Sequence, residues 1–252
     1  MADSLHLVKV PLRADKLIAI ARGRGLPLRD LDDGYLCHCI MRELWQSLAP
    51  APFVLRGRGR TLDAWGYSSV EAAALVDHAR AFGDPSVLAA ITAVDGVVSK
   101  LMPQFARGRR VGFLLRACPV VRLTQASHGH REGAEVDAFL ARAFAAGKEA
   151  VVSREAVYRD WLATKVNREA TTGVTLESVG IAGIARERLV RRTQGHERKA
   201  SRLERPDVRF EGTLVVTDGE RFNAWLRHGV GRHRAFGFGA LILAPPGTTH
   251  TV

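Results

Sequence analysis

The chain has 252 residues, and its 37 Lys plus Arg against 26 Asp plus Glu give a net charge of +11 at neutral pH. This length allows one large domain or two domains of roughly 100 to 120 residues, and the positive charge indicates an anionic partner. No apolar run is long enough for a transmembrane helix, and the first residues lack the pattern of a signal peptide. We therefore expect a soluble, cytoplasmic protein. The three cysteines include Cys37 and Cys39, whose spacing directs them to different sides of a helix, so neither a disulfide nor a zinc site is expected.

The first half of the chain is predicted to alternate strands with helices. The patterns predict strands at 5–11, 53–55 and 61–67, and helices at 14–22, 36–48 and 69–82. The third helix is expected to start at Ser69, to hold Glu71 in its first turn and to end at Gly83. Residues 87–98 fit either a strand or a helix, and the loop 102–108 indicates a boundary.

The second half repeats this order. Strands are predicted at 111–117, 174–181, 210–216 and 238–244, and helices at 134–146, 153–166 and 219–227. Each half thus has the order of a β-α-β-β-α-β unit. We predict an α+β fold of two tandem ferredoxin-like (RRM-like) domains, residues 1–105 and residues 109–252.

The helix that follows Gly34 carries a group of polar residues away from its apolar stripe. Leu36, Ile40, Leu44 and Leu48 are expected to face the core, while Tyr35, His38 and Arg42 share the opposite face. An imidazole exchanges protons near neutral pH, and a phenol and a guanidinium beside it suit a phosphate. These are the groups that metal-free RNA cleavage requires. The alternative is that His38 is an ordinary surface or interface histidine.

A glycine-rich segment lies between the last predicted helix and strand. Gly229 to Gly239 departs from the dinucleotide-binding pattern at Arg234, follows a helix instead of a strand, and lacks the Gly-Lys-Ser/Thr of a phosphate-binding loop. Its four glycines and its cations Arg232, His233 and Arg234 are typical of a loop that lies against a polyanion. A flexible basic loop without a ligand remains the alternative.

The segment 186–209 has nine Arg or Lys against four Asp or Glu and no aromatic residue. We expect an exposed loop or hairpin that contacts the backbone of an RNA duplex or hairpin instead of stacking on single-stranded bases. A solvated basic loop with no specific ligand is the competing interpretation. The two basic segments supply the candidate RNA-binding residues Arg186, Arg188, Arg191, Arg192, Arg198, Lys199, Arg202, Gly229, Gly231, Arg232, His233, Arg234, Gly237 and Gly239.

Three stretches resemble the CasE family, the CRISPR repeat endoribonucleases of the Cascade complex. Gly34 to His38 resembles the catalytic Tyr-x-x-His motif of that family, residues 105–119 resemble its Phe-x-Leu-Arg-Ala-Asn-Pro strand, and residues 227–245 resemble its closing glycine-rich loop and Leu-Ala-Pro end. The matches occur in the same order along nearly the whole chain.

The resemblance implies cleavage within a repeat hairpin, a 2′,3′-cyclic phosphate and a 5′-hydroxyl as product ends, and no metal or other cofactor. It also implies partners, namely the CRISPR repeat hairpin and other Cascade subunits in a surveillance complex that retains the guide RNA. His38 is then expected to transfer the proton, with Tyr35 at the scissile phosphate.

The chain departs from the family at several positions. Cys118 stands where the family usually has Asn, and Arg234 stands where its loop has Lys. Glu43 replaces a Lys that some relatives carry one turn beyond the His, and helical geometry suggests Arg42 as its substitute. A hairpin-binding subunit that does not cut RNA remains the main alternative; a DNA-binding transcription factor is disfavoured because helix-turn-helix and zinc-finger patterns are missing.

Overall fold

The computed structural model describes residues 4–25, 32–57, 59–147, 150–192 and 200–247. The first unit consists of β1 (His6–Arg13), α1 (Ala14–Gly23), α2 (Asp33–Trp45), β2 (Phe53–Arg56), β3 (Thr61–Ser68), α3 (Ala72–Phe82), α4 (Pro85–Leu88) and β4 (Val98–Leu101). Its strands form an antiparallel sheet in the order β2-β3-β1-β4.

The second unit repeats this arrangement with longer strands. Its elements are β5 (Arg110–Ala117), β6 (Val120–Arg122), β7 (Glu135–Asp137), α5 (Ala138–Ala146), α6 (Arg154–Val166), α7 (Glu169–Thr172), β8 (Val174–Arg192), β9 (Ala200–Val216), α8 (Gly219–His228) and β10 (Leu241–Ala244). The main sheet has the order β10-β5-β9-β8. In the four-stranded sheet of each unit, the strand that comes first in the sequence therefore lies between the third and the fourth. The predicted α+β fold with two tandem ferredoxin-like units is confirmed.

The apolar stripe predicted on α2 packs into the core of the first unit. Leu36, Ile40 and Leu44 are buried in one cluster with the apolar residues of β1. The helix ends at Trp45, earlier than the sequence indicated, because Gln46 adopts a positive φ of 50°. Leu48 lies in the 3₁₀ turn that follows.

Two predicted helix starts were wrong for reasons that depend on distant residues. The start of α3 is Ala72 and not Ser69, and its first amide is capped by the hydroxyl of Ser99 on β4 at 2.8 Å. The start of α5 is Ala138 and not residue 134, because residues 135–137 pair with β6 as a strand. The predicted cap of α6 is confirmed, since the Ser153 hydroxyl accepts from the amide of Ala156.

The basic segment was expected to be an exposed loop or a hairpin, and it forms a hairpin. β8 and β9 pair from Val174 and Val216 to Arg192 and Ala200, whereas β5 pairs with β9 only over residues 208–215. Residues 185–192 and 200–207 therefore project beyond β5 as a two-stranded ribbon, which we call the ribbon. Residues 193–199 lie outside the described part of the chain.

The two units contact each other through polar and apolar groups. The Tyr67 hydroxyl on β3 donates to the carbonyl of Leu241 on β10 at 2.6 Å, and both residues are buried. Phe105 in the connecting loop packs against Phe222 of α8, with ring centroids 4.9 Å apart. The domain division at residues 105–109 stays a prediction. None of the described helices is long and apolar enough to cross a membrane.

Candidate active site

The first turn of α2 lies directly against the glycine-rich loop. Asp32 caps the helix by accepting from the amide of Tyr35 at 2.7 Å, and burial raises the pKa of this carboxyl to about 6. The loop contains a 3₁₀ turn, Arg234–Phe236. The carbonyl of Phe236 lies so close to Gly34 that a Cβ on Gly34 would be 2.3 Å from the carbonyl oxygen. Only glycine permits this approach.

Aromatic stacking completes the contact between helix and loop. The rings of Tyr35 and Phe236 stack with centroids 5.3 Å apart and an interplanar angle of 23°. His38 lies one turn further along α2, with its ring centroid 6.4 Å from that of Tyr35. The structure therefore brings Tyr35, His38 and the glycine-rich loop together.

His38 is held as a neutral base at neutral pH. The side chain is half-buried, and burial together with the positive charge of Arg42 lowers the pKa of the imidazole below its usual value. Its ring accepts or donates no hydrogen bond within the described ranges, which leaves both nitrogens available to a substrate. Arg42 is exposed on the same side of α2. Glu43, the residue at the position of the family lysine, is paired with Arg24 of α1 at 2.7 Å.

Tyr35 and His38 line an open cleft of about 720 Å³. Its other walls are Leu189 and Leu203 of the ribbon and residues 231–236 of the loop. The cleft thus joins a helix of the first unit to two elements of the second.

Glu135 organises the cations on the loop side of the cleft. Arg232 donates to one carboxylate oxygen, and His233 Nε2 lies 3.0 Å from the other. Burial disfavours the ionised carboxyl, but the hydrogen bond from Arg232 and the His233 ring outweigh it and keep the pKa of Glu135 below its usual value. Burial lowers the pKa of His233 in spite of Glu135. Because a carboxylate only accepts, His233 Nε2 carries the proton and donates it.

The glycines of the loop fold the loop itself. Gly229, Gly231, Gly237 and Gly239 all have φ between 76° and 85°, and all but Gly231 are buried. A Cβ on Gly239 would lie 2.6 Å from the carbonyl of Val230, and one on Gly231 would lie 3.0 Å from the Trp161 ring. These glycines therefore allow the turns that present Arg232 and Arg234, and the expectation that the loop lies against a polyanion stays a prediction.

The described ribbon residues that line the cleft are apolar, and neither Arg186 nor Arg188 is among them. Leu189 and Leu203 are paired in register and line the cleft. Side chains alternate along a strand, so Arg186 and Arg188 project from the opposite face, where Arg186 pairs with Glu204 at 3.5 Å. Arg191, Arg192 and Arg202 lie on the strands of the ribbon, and Arg198 and Lys199 fall outside the described residues.

Sequence reasoning missed one arginine, Arg205, and one glutamate, Glu135, at the site. Arg205 lies two residues from Leu203, on the same face of the ribbon; its Nε is buried without a hydrogen-bond partner among the described residues. Its charge acts on both Glu135 and His233. Arg205 could have been found from the alternation of side chains along the strand, which places it on the same face as Leu203. Glu135 was missed because its strand was predicted as helix.

Arg116 anchors the loop from β5. Its guanidinium donates hydrogen bonds to both carboxylate oxygens of Asp207, the shortest at 2.9 Å, and stacks over Phe238 at 4.3 Å. Its carbonyl accepts from the amide of Gly239 at 2.8 Å. Cys118, at the position of the family asparagine, is buried beside Phe236 and Phe238. The Leu-Arg-Ala stretch at residues 115–117 therefore holds the loop in place.

His128 and His130 are not among the residues that line the cleft. His128 and His130 are exposed, and the His128 ring stacks on Phe144 at 4.2 Å. Within the described ranges, no three His, Cys, Asp or Glu side chains are grouped so that they could hold a metal ion. His250 falls outside those ranges.

Comparison with known proteins identifies the family. A family model described as "CRISPR associated protein" matches residues 5–245. The chain belongs to this CRISPR-associated family. The match confirms the resemblance that the motifs indicated.

Solved structures of CRISPR-associated proteins share the fold. An RNA-bound structure of the CRISPR endoribonuclease Cse3 is 25% identical, with a TM-score of 0.61, and the alignment covers 96% of this chain and 100% of that one. Thermus thermophilus Cse3 with an RNA representing a pre-cleavage complex is 23% identical, with a TM-score of 0.57 and coverage of 96% and 100%. A chain of a pre-nicking CRISPR RNA-guided surveillance complex is 18% identical, with a TM-score of 0.53 and coverage of 96% and 99%. None of the curated proteins compared with the chain matches it significantly.

Proposed function

We propose that this CRISPR-associated protein is an endoribonuclease that binds the CRISPR repeat hairpin and cleaves precursor CRISPR RNA. The observation that carries the proposal is the placement of a neutral, half-buried His38 beside Tyr35 on the wall of a cleft rich in cations. The full-length similarity to an RNA-bound Cse3 endoribonuclease supports the substrate class.

The proposed reaction is an attack by the ribose 2′-hydroxyl on the adjacent phosphorus, without a metal ion. The 2′-oxygen loses its proton and bonds to phosphorus, the bond to the 5′-oxygen breaks, and the leaving oxygen gains a proton. The products are a 2′,3′-cyclic phosphate and a 5′-hydroxyl. His38 is suited to one of the two proton transfers because an imidazole exchanges protons near neutral pH, and burial lowers the pKa of this one.

The other groups of the cleft suit the charge that develops on the phosphorane. Tyr35 is fixed by its stacking on Phe236 and can orient the scissile phosphate. Arg42 lies beside His38 on α2, while Arg205 and Arg232 approach from the ribbon and the loop. Guanidinium groups that converge on a phosphate stabilise additional negative charge there.

We further propose that the protein stays bound to the mature guide RNA with the other Cascade subunits. This part rests on the family resemblance, and the cytoplasmic location stays a prediction. The competing function is a hairpin-binding subunit that does not cut RNA.

The substitution His38→Ala separates the two functions. If His38 transfers a proton, the single-turnover cleavage rate should fall by about 10²- to 10⁴-fold while the Kd for the hairpin is unchanged. His130→Ala, which removes an exposed histidine outside the cleft, is the matched control. Equal cleavage by wild type and His38→Ala would leave only the binding role.

The product ends test the reaction class. The protein is incubated with the CRISPR repeat of its own genome in the presence of EDTA, and the ends are mapped by mass spectrometry. A cyclic phosphate end is expected. Cleavage that disappears with EDTA and returns with a divalent metal would contradict the proposed mechanism, and equal affinity for the matching DNA hairpin would contradict the substrate class.

A further inference from the structure

A second cavity lies on the other side of the glycine-rich loop from the catalytic cleft. It has a volume of about 560 Å³ and opens between the C-terminal end of α6, the C-terminal end of α8 and the loop. The basic residues of its lining are Lys165, Arg168, His228 and Arg232. No acidic side chain belongs to this lining in the part of the chain that the structure describes.

Two of the cations in this cavity, Lys165 and Arg168, lie there without a counterion among the described residues, whereas Arg232 is paired with Glu135. Neither Lys165 nor Arg168 forms an ion pair within the described ranges, and the Lys165 ammonium sits 5.9 Å from the centre of the Trp161 ring. Burial and the charges of Arg168 and Arg232 lower the pKa of Lys165. Placing like charges together costs free energy, and a bound anion would remove that cost.

The loop backbone adds two unpaired amides beside this cavity, among the described residues. Gly231 lies in the lining of the cavity with a positive φ of 77°. The amides of Gly231 and Arg232 donate no hydrogen bond to the described residues, in contrast to the neighbouring amides of Gly229 and Val230. Free amides beside clustered cations form the kind of concave site that binds oxyanions.

The two cavities share one wall. Gly231 and Arg232 line both the catalytic cleft and the basic cavity, so a single strand that crosses the loop would enter both. A volume of this size accommodates one nucleotide's phosphate and sugar but not a duplex.

We propose that the basic cavity binds a backbone phosphate of the single-stranded RNA that flanks the hairpin, within a few nucleotides of the scissile phosphate. This proposal rests on the proposed function. It assigns Lys165, Arg168 and the amides of Gly231 and Arg232 to a phosphate site separate from the catalytic groups.

The first test compares salt dependence. The double variant K165A/R168A should bind a hairpin RNA with single-stranded flanks roughly 10-fold more weakly than wild type. Its slope of log Kd against log salt should be smaller by about 0.7 for each lost single-strand phosphate contact. The control R142A/R159A removes two exposed, ion-paired cations from α5 and α6 and should leave both quantities unchanged.

The second test locates the phosphate. Single methylphosphonate linkages, which lack the charge, are placed in turn at each flanking position of the RNA. One position is expected to weaken binding to wild type but not to K165A/R168A. A hairpin without flanks should bind both proteins equally.

Three results would overturn the assignment. If wild type binds and cuts the repeat and K165A/R168A shows the same Kd and salt slope, the phosphate site is wrong and the proposed function stands. If the variant loses only the thermal stabilisation by inorganic phosphate and binds RNA as wild type does, the cavity holds a free anion instead. If wild type neither binds nor cuts the repeat, the proposed function fails and the RNA phosphate site fails with it.

Discussion

Arg42 acts on His38 through its charge. The two side chains share one side of α2, and the guanidinium lowers the pKa of the imidazole in addition to the larger effect of burial. Loss of the guanidinium should therefore raise the pKa of His38. The sign follows from Coulomb repulsion, because a nearby cation disfavours protonation.

This repulsion predicts a shift in the pH dependence of cleavage. In wild type the inflection due to His38 should lie below 6.5, the usual value for histidine. In Arg42→Ala it should move to higher pH, whereas Arg42→Lys, which keeps the charge, should leave it in place. Single-turnover rates measured across the acid and neutral range test this. If the rate rises with pH up to the inflection, His38 acts as the general base; if the rate falls above the inflection, His38 acts as the general acid. An inflection that stays at the same pH in Arg42→Ala would contradict the electrostatic effect of Arg42 on His38.

Arg42 is also proposed to replace the lysine that some relatives carry. On the plateau of the pH profile, Arg42→Ala should slow cleavage by roughly 10-fold or more, well beyond its effect on Kd, since a charge aimed at the phosphorane matters most in the transition state. The measurement is a single-turnover rate at saturating protein. Arg24→Ala, which removes the partner of Glu43 on the neighbouring helix, is the control. A normal rate for Arg42→Ala would exclude the role.

At the scale of the element, the contact between α2 and the glycine-rich loop depends on one missing side chain. Gly34→Ala would place a Cβ 2.3 Å from the carbonyl oxygen of Phe236 and would push the loop away from the helix. We expect a loss of about 1 to 3 kcal/mol in the free energy of unfolding, as for other overpacked sites, together with loss of cleavage. Chemical denaturation and single-turnover rates measure the two effects.

The matched control is Gly23→Ala at the end of α1. An added Cβ there meets nothing within 4 Å, and alanine favours the helix, so stability should be unchanged or slightly higher. If Gly34→Ala behaved like Gly23→Ala, the close approach of the loop would not matter for the site.

How far the sequence predicted each element depended on whether its signals were local. The stripe of α2 and the Ser153 cap of α6 are encoded within one turn of the helix, and both predictions held. The start of α3 depends on a hydroxyl from β4, and β7 depends on pairing with β6; neither is visible in a local pattern.

The candidate site shows the same division. Helical geometry placed Tyr35 and His38 on one face. The number of arginines in the ribbon, in contrast, did not indicate which of them lie on the face that lines the cleft. That is why Arg186 and Arg188 were favoured over Arg205, which shares the face of Leu203 that lines the cleft. The glycines were recognised as unusual, while their partners Trp161 and Val230 could only be seen in three dimensions.

At the scale of the whole molecule, a buried hydrogen bond ties the two units together. Tyr67→Phe would leave the carbonyl of Leu241 without the donor at 2.6 Å and should cost about 1 kcal/mol of stability. Urea unfolding should show a lower midpoint with an unchanged m value. Cleavage at a temperature where the variant is folded should equal that of wild type. A large loss of cleavage in the folded variant would mean that this bond also sets the geometry of the site.

The contact between Gly34 and Phe236 has a consequence for synthesis of the protein. The ribosome releases Tyr35 and His38 early, but the carbonyl and the ring that position them belong to residues near the end of the chain. A nascent or truncated polypeptide that lacks the glycine-rich loop would thus possess Tyr35 and His38 without a complete cleft. We therefore expect RNA cleavage to begin only after this loop has been synthesised and has packed against α2.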